Sequence, residues 1–341
     1  MRVKKGPSKN TSIEDVARLA GVSITTVSRV INKMASVKEK NRLRVQEAVK
    51  QLKFQPSVFA QRLATGKSNV VALVIPRYEG IFYSFYALEL IRGIGTLCSV
   101  LKLDLLLHLA DSRSPLNLKG AGGIIFADII SNRNQLQEAL VQHIPCVVIN
   151  NYVQDLDVTS ISIDNTAGAE SAVNYLISLG HRKIAHITGD LITQAALQRL
   201  QGYKKALEKN KIPLNEDYIF KTDYSRGQAR AASEKILKMP NPPTAVFVSS
   251  DSMALEVMAV AKESGKDVPG DLSIVGFDDN PSGLYGPVAL TTVRQPLVKM
   301  AQDSVKELTL LMEGKKKSQG PQKIVLPTEL VIRESCRPLN P

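Results

Sequence analysis

The sequence predicts a small basic α-helical head followed by a two-lobed α/β body built on parallel sheets. Three observations predict it. Two short capped helices flank a glycine turn within residues 11–31. Of the net charge of +12 on 341 residues, +11 falls within residues 1–67. From Val70 onward, apolar runs of strand length alternate with amphipathic segments of helix length.

In the head, Thr11 and Glu14 have the spacing of a capping box. Val16, Leu19 and Ala20 then form an apolar stripe, and Gly21 suits the left-handed residue that ends a helix. Ser23 is placed to cap the second helix, whose buried side is Val27, Val30 and Ile31; Ile24, Thr25, Ser28 and Arg29 face outward. Such a pair forms either a hairpin in an ordinary core or a helix-turn-helix, whose second helix enters the DNA major groove. The charge separates the two, because a basic module on a near-neutral body is the footprint of phosphate-backbone binding. A third helix is expected over 38–53, with Ser36 and Glu39 as its capping pair and Leu43, Val45, Ala48, Val49 and Leu52 as apolar positions. Pro56 stops it, and Ser57–Lys67 has the length of one further short helix, marginal in isolation.

In the body, strands are expected at 70–75, 104–109, 123–127, 146–150, 160–163, 184–188, 245–248 and 272–277, with a closing strand pair at 323–326 and 329–333. Helices are expected at 84–101, 133–143, 167–179, 194–210, 226–239, 251–264 and 297–313. Continuous Val/Ile/Leu runs mark strands buried on both faces, and the alternation gives βαβ units with parallel pairing. The strands are too many for one open sheet, so two lobes are expected.

Composition excludes several classes. No apolar run is long enough to span a membrane and no signal-peptide core opens the chain, so an intracellular, cytoplasmic protein is expected. Cys98, Cys146 and Cys336 have neither paired nor metal-ligand spacing and read as free thiols. The four histidines, His108, His143, His181 and His186, lack ligand spacing. Gly120–Gly123 precedes a strand instead of following one, and no phosphate loop or serine nucleophile elbow occurs. Neither an enzyme, a metal nor a cofactor is expected.

The chain resembles the LacI/GalR family of bacterial transcriptional regulators over nearly its whole length. The matching motifs are Asp15–Ala17, Ala20–Ser23, Thr26–Asn32 and Pro56–Leu63 in the head; in the body they are Ser178–Ala185, Arg199–Tyr203, Asp251–Ala254, Val275–Asp279 and Leu290–Val293. The resemblance implies a DNA-binding domain at 10–54, a hinge helix and linker at 55–68, and a periplasmic-binding-protein-like effector-binding and dimerisation core at 69–334. In that core the chain crosses between lobes three times, giving an N-lobe of 69–163 plus 293–316 and a C-lobe of 164–290 plus 322–334. It further implies a homodimer on a pseudo-palindromic double-stranded operator, with Leu63 wedged into the minor groove. By position, Ile24, Thr25 and Arg29 would touch bases, whereas Ser23, Thr26, Ser28 and Asn32, together with Thr11 and Ser12, would touch phosphates. The effector would lie between the lobes at the carboxyl ends of the strands. Arg199 and Asp278 would grip it, Tyr224 would form an aromatic lid, Phe82 and Tyr83 would stack, and Asn150 would hydrogen-bond.

Three departures from the family pattern stand out. Ser250 takes a position often held by Asn, shortening an effector contact. Arg77 and Glu79 follow the first strand where many sugar regulators differ, which points towards an acidic or phosphorylated ligand. The segment 111–121 is short for the helix usual there, which bears on the dimer surface. The implied function is a repressor of carbohydrate-utilisation genes controlled by a sugar or sugar phosphate. The alternatives are a catabolite-type regulator with a protein co-effector, a nucleobase-responsive repressor, and a sugar-binding or sugar-processing enzyme carrying a basic head.

Overall fold

The computed structural model describes residues 11–31, 34, 36–54, 68–77, 81–111, 116, 118, 120–130, 132–315 and 320–339. Asn32, Glu79, Leu63, the rest of the expected 57–67 helix and much of 111–121 lie outside them. The chain divides into two units, Met1–Asn69 and Val70–Pro341.

The first unit contains α1 (Ile13–Ala20), α2 (Ile24–Ile31) and α3 (Glu39–Gln51). Val16, Ala17, Ala20, Val27, Val30, Val45 and Ala48 form its buried core. Ser12, not Thr11, caps α1: its hydroxyl accepts from the Asp15 N–H at 3.2 Å, while the Asp15 carboxylate accepts from the Ser12 N–H at 3.0 Å. The box therefore sits one residue later than the Thr11–Glu14 spacing suggests, because the aspartate carboxylate reaches back as well as a glutamate's. Thr11 instead donates to the Leu52 carbonyl at the end of α3. Gly21 ends α1 in the left-handed region at φ 62°, and the Ser23 hydroxyl accepts from the Thr26 N–H. The Ser36–Glu39 pair is not a cap: α3 begins at Glu39, so Ser36 lies too far upstream, and Lys38 at the N-cap makes no side-chain bond.

The second unit has two lobes. In the first, β1 (Val70–Pro76), β2 (Asp104–Ala110), β3 (Gly123–Ala127), β4 (Cys146–Ile149), β5 (Thr159–Ile163) and β11 (Lys323–Leu326) make one parallel sheet ordered β11-β5-β4-β3-β1-β2. Helices α4 (Phe85–Val100), α5 (Arg133–Val141) and α10 (Leu297–Met312) belong to this lobe, α10 packing on α4, β3, β4 and β5. In the second lobe, β6 (Ile184–Ile187), β7 (Ile219–Phe220), β8 (Ala245–Val248) and β9 (Ser273–Val275) form a parallel sheet ordered β7-β6-β8-β9. It carries α6 (Asn165–Ser178), α7 (Gln194–Lys209), α8 (Arg226–Leu237) and α9 (Asp251–Glu263). Asp164, Thr193, Ser225 and Ser250 cap these four helices through their side chains.

The last strands correct two expectations. The segments 323–326 and 329–333 do not pair with each other. β11 is an edge strand of the first sheet, parallel to β5, whereas β12 (Glu329–Val331) pairs antiparallel with β10 (Thr292–Arg294) beside β9. Pro327 and Thr328 connect them, and neither supplies the positive φ that a two-residue hairpin requires. The stretch assigned to the C-lobe at 322–334 is thus split, since 323–326 belong with the N-lobe, and 293–294 lie with the C-lobe strands. Strands β7 and β10 are too short to stand out as apolar runs. Among the described residues no helix is long and apolar enough to cross a membrane, and no cluster of metal-ligating side chains occurs. Cys98 and Cys146 are buried free thiols, with burial pushing them up to about 11 and about 12.

Candidate operator interface and effector cleft

On the first unit, α2 buries Val27 and Val30 and turns Ile24, Thr25 and Arg29 outward. Ile24 is 47% exposed. Ser23 is exposed at the helix start, its hydroxyl 2.9 Å from that of Thr26; Thr26 and Ser28 are half-buried. The expected base-facing residues and the phosphate-facing Ser23, Thr26 and Ser28 therefore share the start and outer side of one helix, whereas Thr11 and Ser12 lie at the start of α1, and Asn32 and Leu63 fall outside the described residues.

On the second unit, five strand ends converge. Asp128 follows β3, Asn150 follows β4, Gly189 lies two residues beyond β6, Ser249 and Ser250 follow β8, and Asp278 lies three residues beyond β9. Open parallel sheets bind ligands at these carboxyl ends. Arg199, on α7, is 4% exposed and sits at the centre. Its Nε donates to Asn165 Oδ1 at 2.8 Å, one Nη donates to the Ser249 carbonyl at 2.6 Å, and its guanidinium lies 3.8 Å from the Phe277 ring centroid. Its charge acts on both Asp128 and Asp278 and makes the ionised forms easier, although no direct ion pair joins them among the described residues.

Asp128 was not singled out by sequence. Asn150 Nδ2 donates to its Oδ1 at 2.7 Å. Burial raises the Asp128 carboxyl to about 6, and the Asn150 amide, the Tyr86 hydroxyl and the Arg199 charge pull the other way. Asp278 accepts from Gln295 Nε2 at 2.5 Å, and burial raises it as well. Behind it, Asp251 accepts from Thr292 Oγ1 at 2.6 Å and from the Asn280 N–H at 2.7 Å, and it too is raised, first by burial and then by the neighbouring Asp278 charge. The neighbouring Asp279 turns away to Arg294 and Arg333, at 2.6 and 2.5 Å, and its pKa is lowered by them.

The backbone is strained at the same places. Asp128, Asn150, Tyr224 and Asp278 all have positive φ, at 61°, 65°, 68° and 135°. The Tyr224 ring lies directly over Gly189, where an added Cβ would fall 1.8 Å from a ring atom, so glycine is what admits the ring. Ser250 uses its hydroxyl to accept from the Met253 N–H as the cap of α9. Phe82 and Tyr83 occupy a 3-10 turn after β1 and are 54% and 92% exposed, while their neighbour Ile81 is buried. The structure thus gathers Asn150, Arg199, Tyr224 and Asp278, commits Ser250 to capping, and leaves Phe82 and Tyr83 on the surface. It adds Asp128 and Gln295. The signal for Asp128 was present: a polar residue directly after an apolar strand, the same pattern that marks Asn150.

The family model "Bacterial regulatory proteins, lacI family" matches residues 12–57, and the model "Periplasmic binding protein-like domain" matches residues 173–336. The HTH-type transcriptional regulator DegA of Bacillus subtilis (strain 168) is 36% identical, over 97% of this chain and 99% of that protein. The chain belongs to the lacI family of bacterial regulatory proteins. Another relative of this lacI-family regulator is the catabolite control protein A of Priestia megaterium, 33% identical over 96% of the chain and all of that protein. Among solved structures, the lac repressor dimer bound to operator and the anti-inducer ONPF aligns with a TM-score of 0.83 at 27% identity, covering 96% of this chain and all of that one. The complex of the transcriptional regulator CelR with cellobiose aligns with a TM-score of 0.73 at 29% identity, covering 95% and 99%. This chain is accordingly a DNA-binding transcriptional regulator with a ligand-binding domain, and not an enzyme.

Proposed function

We propose that this regulator represses carbohydrate-utilisation genes as a homodimer on a pseudo-palindromic operator, and that a sugar or sugar phosphate bound in the interlobe cleft controls it. The observation that supports this most is the convergence of Asp128, Asn150, Arg199 and Asp278 from both lobes on one set of strand ends. A guanidinium beside carboxylates and a carboxamide offers the donor and acceptor pattern that vicinal hydroxyls match. A ligand touching both lobes shifts the balance between open and closed bodies; coupling of this kind is worth about 1–3 kcal/mol between sites. In the proposed operator complex Ile24, Thr25 and Arg29 read bases, Ser23, Thr26, Ser28 and Asn32 hold phosphates, and Leu63 is the minor-groove wedge.

The test is selection of an operator from random duplexes with the full-length protein, followed by gel shifts across a panel of sugars and sugar phosphates. A palindromic selected site whose retention changes at least fivefold with one compound supports the proposal. Unselective, salt-erased DNA binding, or retention unaffected by every compound, overturns it.

A further inference from the structure

The cleft is short of positive charge. Asp128 and Asp278 both face the space that Arg199 serves, and Arg199 is the one cation among the groups that act on either carboxylate. Much of that cation is spent, because its Nε and one Nη already donate to Asn165 and Ser249. Arg77, whose place after β1 suggests an acidic ligand, is exposed and is not among the groups acting on Asp128. Acceptors also outnumber donors. Besides the two carboxylates, the Asn150 Oδ1 and the Gln295 Oε1 are buried without a hydrogen-bond partner, and each belongs to an amide whose nitrogen is engaged by Asp128 or Asp278. An occupant that reaches these carboxylates is favoured when it brings N–H or O–H groups and little negative charge.

We infer that Asp128 makes the cleft select an uncharged or amino-bearing polyhydroxyl ligand and reject the phosphorylated or carboxylated form of the same sugar. The inference rests on the proposal that a sugar-like effector occupies this cleft, and it decides between the two classes left open there. Asp128 is the specificity-determining group because, among the described residues, it is the first-lobe carboxylate on which the Arg199 charge acts. Asp278, from the second lobe, balances Arg199 and is itself tied to Gln295. A phosphate or carboxylate bound beside Asp128 would stand against two carboxylates with part of one guanidinium for compensation. A hydroxyl or ammonium there would instead donate to the Asp128 carboxylate, whose two oxygens can accept more than the Asn150 and Tyr86 groups supply.

The experiment is calorimetric titration of the full-length protein with matched sets built on ribose, glucose, galactose and cellobiose: the neutral sugar, the amino sugar, the phosphate and the uronate where each exists. The wild type is compared with Asp128→Asn, which removes the charge and keeps the shape, and Asp128→Glu, which keeps the charge. The expected result is that at least one neutral or amino ligand binds, its anionic partner binds at least tenfold more weakly, and Asp128→Asn narrows that gap at least fivefold while Asp128→Glu preserves it. If an anionic member binds the wild type as tightly as its neutral partner, or if Asp128→Asn leaves the gap unchanged, the inference falls and the sugar-effector proposal stands. If no member of any set binds the wild type, both fall together.

Discussion

The side-chain amide of Gln194 bonds the Tyr152 backbone twice, accepting from its N–H at 2.7 Å and donating to its carbonyl at 3.2 Å. Gln194 is the first residue of α7 in the second lobe, and Tyr152 lies in the loop after β4 in the first. The pair therefore latches the two lobes beside the cleft that contains Arg199. Gln194→Ala is expected to free the Tyr152 amide while leaving both sheets intact. Hydrogen exchange should show the Tyr152 N–H exchanging about fivefold faster or more, the scale of one net hydrogen bond of about 1 kcal/mol, with β3 and β8 amides unchanged.

Arg199 is a structural keystone as well as a candidate ligand contact. Arg199→Ala strands Asn165 Oδ1 and the Ser249 carbonyl and leaves Asp128 and Asp278 without their counter-charge. Loss of one partner from a buried charged network costs about 3–5 kcal/mol, so the Val70–Pro341 unit should melt well below its wild-type temperature. Arg199→Lys is expected to recover less than half of this, because an ammonium cannot reproduce the fork that reaches both acceptors. Chemical denaturation followed by circular dichroism checks both.

Acidification should reveal the raised carboxyls. Asp128 titrates near 6 when folded, above its ordinary value, so the folded protein holds more protons between about pH 4 and 6. Its contribution to stability is therefore present at low pH and is lost as pH rises through about 6. Buried His186, pushed down to about 4, acts oppositely over the same range, because the unfolded chain takes up its proton first. The difference between wild type and Asp128→Asn isolates the carboxyl. Wild type should gain about 1–2 kcal/mol on the variant between pH 7.5 and 4.5; a flat difference would show that Asp128 is solvated like a surface acid.

In the first unit, Ser12 and Arg29 separate folding from recognition. Ser12→Ala removes the hydroxyl half of the cap on α1, leaving the Ser12 N–H on the Asp15 carboxylate, and should cost about 1 kcal/mol of that unit's stability. Arg29 is exposed, so Arg29→Ala should leave the unfolding curve in place. If Arg29 grips a base, that variant loses about 1–3 kcal/mol of discrimination at one operator position. A phosphate contact would instead lower affinity evenly across sequences and reduce the salt slope.

The architecture of the body was legible because buried parallel strands write themselves as unbroken apolar runs; Gly123–Ala127 and Ala245–Val248 fall where the runs do. Helix starts were legible to a residue or two wherever a Ser, Thr or Asp stood ready to cap, as at Ser84 and Thr193. Partner choice was not. Lys323–Leu326 has nothing in its pattern to say which sheet it joins, since that depends on Ile324 and Leu326 meeting β5, far away in sequence. In the site, Arg199 and Asp278 were readable from motifs. Asp128 carried only the weaker signal of a polar residue directly after an apolar strand; its weight comes from three neighbours on different elements, Asn150, Tyr86 and Arg199, that only folding assembles.

Two residues, Pro327 and Thr328, separate Leu326 in one sheet from Glu329 beside the other. Three extended Cα–Cα steps span no more than roughly 11 Å. The lobes therefore cannot part along this edge, however far they swing at the opposite one. The body works like a book with part of its spine at Pro327. Asp128 on one leaf and Arg199 on the other are joined through that spine as well as across the opening, so any motion that parts them turns about Pro327.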